Sequence, residues 1–241
     1  MAENRTQDPA GRAVLVTGAN RGIGLAASRA LAREGLAVVL TARDGAAGER
    51  AAADLAAESI EVRSEQLDVA DPASVRACAD RLARDGVEVD VLVNNAGILL
   101  DEDGPLLAPL PEEVWMANLQ VHFLGAVRTC QAWVPGMVAR GYGRVVNVAS
   151  GWGSIGDGVP GPAGYALGKA GLRVLTRRVA AEVRGDVKVN CMDPGWVASR
   201  MGGAAASRTP DQATDTLVWL ATLPRDGPSD GYWYDRRRFD W

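Results

Sequence analysis

Residues 13–24 read Ala13-Val14-Leu15-Val16-Thr17-Gly18-Ala19-Asn20-Arg21-Gly22-Ile23-Gly24, and this stretch decides the fold. Four apolar residues in a row predict a short strand buried on both faces. The segment Ile23 to Glu34 has helical period. Between strand and helix the glycines are spaced Gly-x-x-x-Gly-x-Gly. Such a turn lets backbone approach a pyrophosphate closely, and the helix N-terminus adds exposed N–H groups and partial positive charge. Gly18, Asn20, Arg21, Gly22, Ile23 and Gly24 are therefore expected to cradle a dinucleotide.

The same alternation continues outward. Strands are predicted at Val38-Val39-Leu40, Val62–Leu67, Val89–Val93, Val145–Val148 and Val187–Cys191, with Tyr232-Trp233 as a last candidate. Helices are predicted at Glu49–Ala57, after Asp71 as N-cap with Pro72 in the first turn, and from Tyr165 to Val183. Another runs from Pro111 to Val138, bent near Gly125 or Pro135, and one starts at Thr209-Pro210 and runs to Leu220. Apolar strands separated by helices predict a single-domain, doubly wound parallel α/β sheet of Rossmann type, with about seven strands and helices on both faces. Residues 1–10 are expected to be a flexible N-terminus, and 11–241 one domain whose C-terminal segments lie on the substrate side.

Composition narrows the function. The chain has 241 residues, 47% of them hydrophobic, and a formal charge of -4. That balance argues against nucleic acid or an anionic membrane as partner. No apolar run approaches the ~18–20 residues of a membrane span, and the polar N-terminus does not read as a signal peptide. A cytoplasmic location is expected. Cys78, Cys130 and Cys191 are widely spaced in apolar surroundings and read as free buried thiols. A single histidine and no Cys-x-x-Cys pair predict no metal site. Neither a Gly-x-Ser-x-Gly elbow nor a P-loop is present.

The end of the second strand reads Leu40-Thr41-Ala42-Arg43-Asp44. An acidic side chain here would bind a ribose 2′-hydroxyl. Arg43, helped by Arg21, instead suits a 2′-phosphate, so NADPH/NADP+ is the expected cofactor. Tyr165 and Lys169 lie four apart on one helix face. An ammonium there is expected to lower the tyrosine pKa and make it a general acid or base toward a carbonyl, with Ser150 hydrogen-bonding the same oxygen. Lys169 is one of only two lysines among 26 basic residues, which marks a compact ammonium as wanted at that position.

Together these motifs resemble the short-chain dehydrogenase/reductase family, and the stretch 39–44 with the aromatic-rich C-terminus ending in Trp241 looks closest to its NADPH-dependent carbonyl reductases. The resemblance rests on Thr17–Gly24, Leu67-Asp68-Val69, Asn94-Asn95-Ala96-Gly97, Ser150 with Tyr165-x-x-x-Lys169, and Pro194-Gly195-Trp196-Val197-Ala198-Ser199. It implies that Asp68 and Val69 meet the adenine and that Asn95, Ala96 and Gly97 line the nucleotide path, with Asn94 bracing the sheet. It further implies that Tyr165 is the acid/base, that Lys169 binds the nicotinamide ribose, and that Pro194, Gly195, Val197 and Ser199 meet the cofactor.

The chain departs from the family pattern where an asparagine is usual in the long helix; His122 stands there. His122 either supports a proton relay, with Asn118 as partner, or fills the site while a backbone carbonyl keeps the water. Ala46, Ala47 and Gly48 stand where such reductases often carry a further basic residue. The short gap between Ser150 and Tyr165 leaves a homodimer or homotetramer open. Leu99, Leu100, Trp152, Ile155, Val159, Trp196 and Met201 fall on loops beyond the strands and suggest a small, mostly hydrophobic ketone or aldehyde, with 202–207 as a lid. Imine or alkene reduction, NAD-dependent alcohol oxidation and a non-catalytic dinucleotide binder are the alternatives.

Overall fold

The computed structural model describes residues 11–101, 107 and 110–240; the expected flexible segment 1–10 and the aromatic Trp241 lie outside them. Strand β1 (Ala13–Val16) leads through the glycine turn into α1 (Gly22–Arg33). The pattern repeats with β2 (Ala37–Ala42), α2 (Gly45–Ala57), β3 (Arg63–Gln66), α3 (Pro72–Arg84) and β4 (Val89–Asn94). Next come α4 (Glu112–Leu119), α5 (Gly125–Arg140), β5 (Tyr142–Val148), α6 (Ala163–Glu182) and β6 (Asp186–Met192). The described chain closes with α7 (Pro210–Ala213), α8 (Asp215–Ala221), β7 (Gly231–Tyr234) and β8 (Arg237–Phe239).

The strands form one sheet in the order β3-β2-β1-β4-β5-β6-β7-β8. β1 to β7 are parallel, as expected, and the chain reverses its direction of travel between β1 and β4. β8 is an addition that runs antiparallel to β7. Its turn puts Asp235 and Arg236 at φ 47° and 58°. Ion pairs from Arg208 to Asp235 and from Arg236 to Asp215 hold the hairpin to the body.

Strand alternation builds the two cores. Val14 and Val16 face α1 and α8 through Ala27, Leu31, Leu217 and Leu220. Leu15, on the opposite face, packs with Cys78 and Leu82 of α3, Met137 of α5 and Leu172 of α6. Each such buried side chain contributes about 1.5–3 kcal/mol, which is why every central strand is apolar on both faces. Tyr232 and Trp233 are buried in these cores, while Phe239 is half exposed.

Several boundaries differ from the sequence reading. α2 begins four residues before Glu49, because Asp44 caps it by accepting from the Ala47 amide at 3.3 Å. The helix expected over Thr209–Leu220 breaks at Thr214 into α7 and α8. A π-turn, Gln120–Leu124, interrupts the long helix just before Gly125, and Pro135 sits inside α5. Gly125 is required there, since a Cβ would lie 2.8 Å from Val69. Among the described residues no helix is long and apolar enough to cross a membrane.

A buried polar ladder ties the sheet to its helices. Asn94 donates to Asn147 Oδ1 at 2.8 Å and accepts from Thr129 of α5 at 2.6 Å; Asn147 donates to Thr176 of α6 at 2.8 Å. Truncation would leave the Asn147 side-chain oxygen without its donor at about 1–3 kcal/mol, while the Thr129 hydroxyl falls back on the Gly125 and Ala126 carbonyls. Asn94→Ala is therefore expected to lower the urea unfolding midpoint with little change in slope, by a stability loss of about 1–3 kcal/mol.

Candidate active site

Many of the residues singled out from the sequence follow the carboxyl ends of the parallel strands. Gly18, Asn20, Arg21, Gly22, Ile23 and Gly24 follow β1, and Arg43 follows β2. Asp68 and Val69 follow β3, Asn95, Ala96 and Gly97 follow β4, and Ser150 follows β5. Pro194, Gly195, Val197 and Ser199 follow β6. This edge, at the point where strand order reverses, is where open α/β sheets bind ligands.

The glycine turn is fastened from the β4 side. The Thr17 hydroxyl accepts from the Asn95 and Ala96 amides, both at 3.0 Å. The Asn95 side chain donates to the carbonyls of Thr17 and Gly18 at 2.9 and 3.1 Å. A Cβ on Gly18 would lie 2.9 Å from Ala96, and one on Gly24 2.6 Å from Asn95. Asn95 thus spends its side chain on bracing the turn. The α1 N-terminus has no side-chain cap and no acid in its first turn. Its leading N–H groups suit a pyrophosphate, so the residues present fit a dinucleotide.

Three guanidiniums gather beside this turn. Partial burial and then the charges of Arg200 and Arg43 pull Arg21 below its ordinary pKa. Arg200 was not foreseen, because nothing local marks a residue so far along the chain. Its loop is set by Ser199, which lies 3.7 Å from a Cβ built on Gly22 and accepts from the Gly202 and Gly203 amides at 3.1 and 2.9 Å. Among the described residues none of the three arginines has a carboxylate partner. Like charges left together this way form a site for a polyanion.

Helix α6 carries Tyr165 and Lys169, and an acid from elsewhere holds its start. Asp101, buried and also unforeseen, accepts from the Gly164 and Tyr165 amides at 2.6 and 3.2 Å and from Asn118 at 3.2 Å. The helix's own N-cap, Pro162, offers no side-chain hydrogen bond, so Asp101 supplies the negative charge that a helix N-terminus favours. Asn118 is therefore the partner of Asp101 rather than of His122, because its amide faces the loop and not the π-turn.

Tyr165 is buried, with its ring edge-on to His122 at 5.0 Å and to Trp152 at 5.7 Å. Burial pushes its pKa up to about 12; a hydrogen bond with Ser150 pulls it back and Asp193 pushes it further up. The expected lowering by Lys169 is not found. The Lys169 ammonium donates to the Val148 carbonyl at 2.8 Å and lies 5.6 Å from the Tyr165 ring centre. Burial brings Lys169 down to about 8. Ser150 caps a short 3-10 turn by accepting from the Trp152 amide at 3.2 Å. Gly153 lets that turn approach α6, since a Cβ would lie 2.7 Å from the Ala170 nitrogen.

His122 sits in the π-turn between Gly97 and Gly168, either of which would clash with it if it bore a Cβ. Burial, then the charge of Lys169, lowers its pKa to about 3, so the ring is neutral. Its Nε2 lies 2.7 Å from the Ile98 carbonyl, which assigns the hydrogen to Nε2 and leaves Nδ1 as an acceptor. Nδ1 is buried with no hydrogen-bond partner among the described residues. A cavity of about 10 Å³ lined by His122, Thr17, Asn94 and Gly125 adjoins the ring, room for one water. On the open side, Leu100, Trp152, Ile155, Trp196 and Met201 are exposed, while Leu99 and Val159 are half-buried.

Comparison with known proteins agrees with this geometry. A family model described as short chain dehydrogenase matches residues 12–210. Carbonyl reductase (NADPH) 1 of Sus scrofa is 34% identical over 277 aligned positions, covering 95% of this chain and 94% of the relative. Carbonyl reductase (NADPH) 3 of Rattus norvegicus is 35% identical, covering 89% and 92%. Among solved structures, a gluconate 5-dehydrogenase from Burkholderia cenocepacia in complex with NADP and tartrate superposes with a TM-score of 0.78 at 31% identity, covering 89% of this chain and 91% of that one. L-sorbose reductase from Gluconobacter frateurii, complexed with NADPH and L-sorbose, gives a TM-score of 0.82 at 25% identity, covering 94% and 95%. A family match over most of the length, on a fold with the glycine turn and the Ser150, Tyr165 and Lys169 group in place, identifies this chain as a member of the short-chain dehydrogenase family.

Proposed function

We propose that the protein is an NADPH-dependent oxidoreductase that reduces the carbonyl of a small, mostly hydrophobic ketone or aldehyde to an alcohol. The observation that carries this reading is the meeting of Ser150, Tyr165 and Lys169 beside the glycine turn, with Tyr165 kept as a neutral phenol by a pKa of about 12. A neutral phenol is a proton donor, the partner a carbonyl oxygen needs as it gains charge. The relatives named as NADPH carbonyl reductases, and the solved relatives holding NADP or NADPH, support the cofactor and the reaction class.

When bound, the nicotinamide cofactor supplies the hydride. Ser150 positions the carbonyl oxygen, and Tyr165 gives it the phenolic proton. Lys169, one turn further along α6, holds the nicotinamide ribose. Asp68 and Val69 border the adenine, and Asn95, Ala96 and Gly97 the nucleotide path. Pro194, Gly195, Val197 and Ser199 border the nicotinamide. Arg21 and Arg43 hold the 2′-phosphate, and Arg200 takes the place of the basic residue missing at Ala46, Ala47 and Gly48. His122 is read as a relay residue whose Nδ1 anchors a water on the proton path. The exposed apolar rim at Trp152, Ile155 and Trp196 favours a hydrophobic substrate. Leu167 and Val174, exposed on the outer face of α6, suit pairing of two copies into a homodimer or homotetramer.

Three outcomes check this reading. Tyr165→Phe is expected to cut carbonyl reduction at least about 100-fold while NADPH binding stays intact; retained turnover removes Tyr165 from the role. Arg43→Ala and Arg200→Ala are each expected to weaken NADPH about tenfold in a fluorescence titration, more at low salt, with NADH little changed. An equal loss for both cofactors would assign the arginines to the pyrophosphate. His122→Leu is expected to slow turnover about tenfold while His122→Asn keeps most of it, because only the latter retains a polar group for the water. Equal rates in both variants would reduce His122 to packing.

A further inference from the structure

Arg128 of α5 has none of the roles assigned above, yet its guanidinium bridges two parts of the site. Nη1 donates to the Val69 carbonyl at 3.0 Å and to the Gln120 carbonyl at 3.3 Å, while Nη2 donates to Gln120 Oε1. Val69 stands in the loop after β3, and Gln120 opens the π-turn that carries His122. All three acceptors are neutral oxygens, so the site uses the planar fork of the guanidinium rather than an ion pair.

Val69 is seated on α5 twice. Its Cγ2 lies 2.8 Å from where a Cβ on Gly125 would stand, so the side chain rests on bare helix backbone. Val69 is buried, and a buried carbonyl needs a donor; Arg128 supplies it. Its neighbours in the loop are tied elsewhere: the Asp68 amide donates to the Ser74 hydroxyl of α3 at 2.9 Å, and the Ala70 amide donates to Asp68 Oδ1 at 2.9 Å. Val69 also walls the water-sized cavity beside His122, together with Val121 and Gly125. A shift of Val69 therefore alters the space at the histidine.

We propose that Arg128 is a positioning residue that locks the adenine loop to the π-turn, so that Val69 and His122 keep their places as one unit. The proposal rests on the reading of Asp68 and Val69 as the border of the adenine. Residues 125 and 128 share a helix face, which sets the guanidinium beside the seat of Val69. From there one rigid fork spans the Val69 and Gln120 carbonyls and the Gln120 side chain at once. A lysine ammonium has three donors and can still serve two carbonyls, whereas a methionine of similar length has none. Loss of the fork frees both the adenine loop and the π-turn, and leaves the nicotinamide end, held by the loop after β6, in place.

The test uses the full chain with Arg128→Met, Arg128→Lys and Gln120→Ala. Hydrogen exchange read by mass spectrometry follows the unliganded protein. In Arg128→Met, peptides covering 67–71 and 119–125 are both expected to exchange about tenfold faster, with Arg128→Lys close to wild type. Faster exchange in one segment alone, or in neither, overturns the proposal. Binding of adenosine 2′,5′-bisphosphate is expected to weaken about fivefold in Arg128→Met, while nicotinamide mononucleotide binds as before. Titration at ~0.5 M salt screens the effect of the lost charge. A general loosening would weaken both fragments alike; that result, or an unchanged bisphosphate affinity, sinks the proposal. Gln120→Ala keeps the guanidinium and serves if Arg128→Met does not fold. It should speed exchange in both segments about threefold, and an unmoved pair again decides against Arg128. If the wild-type protein binds neither fragment nor NADPH, the proposed function fails, whereas the paired exchange still decides the role of Arg128.

Discussion

The Thr17 hydroxyl accepts two amides from the β4 loop, and the Asn95 side chain returns two hydrogen bonds to the glycine turn. These contacts close the gap between β1 and β4, where the sheet changes direction. Four hydrogen bonds over so short a span leave the turn no freedom to drift. They bring Gly18 against Ala96 and Gly24 against Asn95 at distances that no larger side chain tolerates. The start of α1, the path for the nucleotide and the loop over His122 all take their positions from this joint.

A second set of constraints places α6. Its N-terminus is held by Asp101, its middle by the Asn147–Thr176 bond, and its approach to neighbours by Gly153 and Gly168. Glycines at close contacts and a buried polar ladder replace the softer packing of a surface helix. Rigid elements of this kind suit a reaction in which an error of an ångström is costly. Tyr165 and Lys169 inherit their geometry from that helix, and Ser150 from the adjacent end of β5.

Electrostatics divides the site in two. In its interior, burial dominates: it keeps Tyr165 protonated, eases the proton affinity of Lys169 and leaves His122 neutral. At its rim, three arginines without acid partners make the opposite environment, attractive to phosphate. One end of a dinucleotide carries charge and the other end reacts, so this polarity matches the molecule that the fold is shaped to hold.

The sequence by itself determined the layered α/β fold, the glycine turn, the strand ends and the Ser150, Tyr165 and Lys169 group. All of these have local signatures: apolar runs of strand length, glycine spacing, and an i,i+4 pair on one helix. Even there the ends were blurred, because the Asp44 cap and the Thr214 break depend on single hydrogen bonds rather than on periodicity. A bend near Gly125 was expected, but not its π geometry, which depends on which backbone hydrogen bonds form rather than on residue type. Only the tertiary structure decided that Arg200 joins Arg21, that Asp101 caps α6, that Asn118 serves Asp101, and that Arg128 joins Val69 to the π-turn. It also reversed the expected effect on Tyr165, for a spacing of four residues predicts proximity to Lys169 but says nothing about burial or about where the ammonium points. Long-range pairings and desolvation arise from the packed whole, and no short window of sequence contains them.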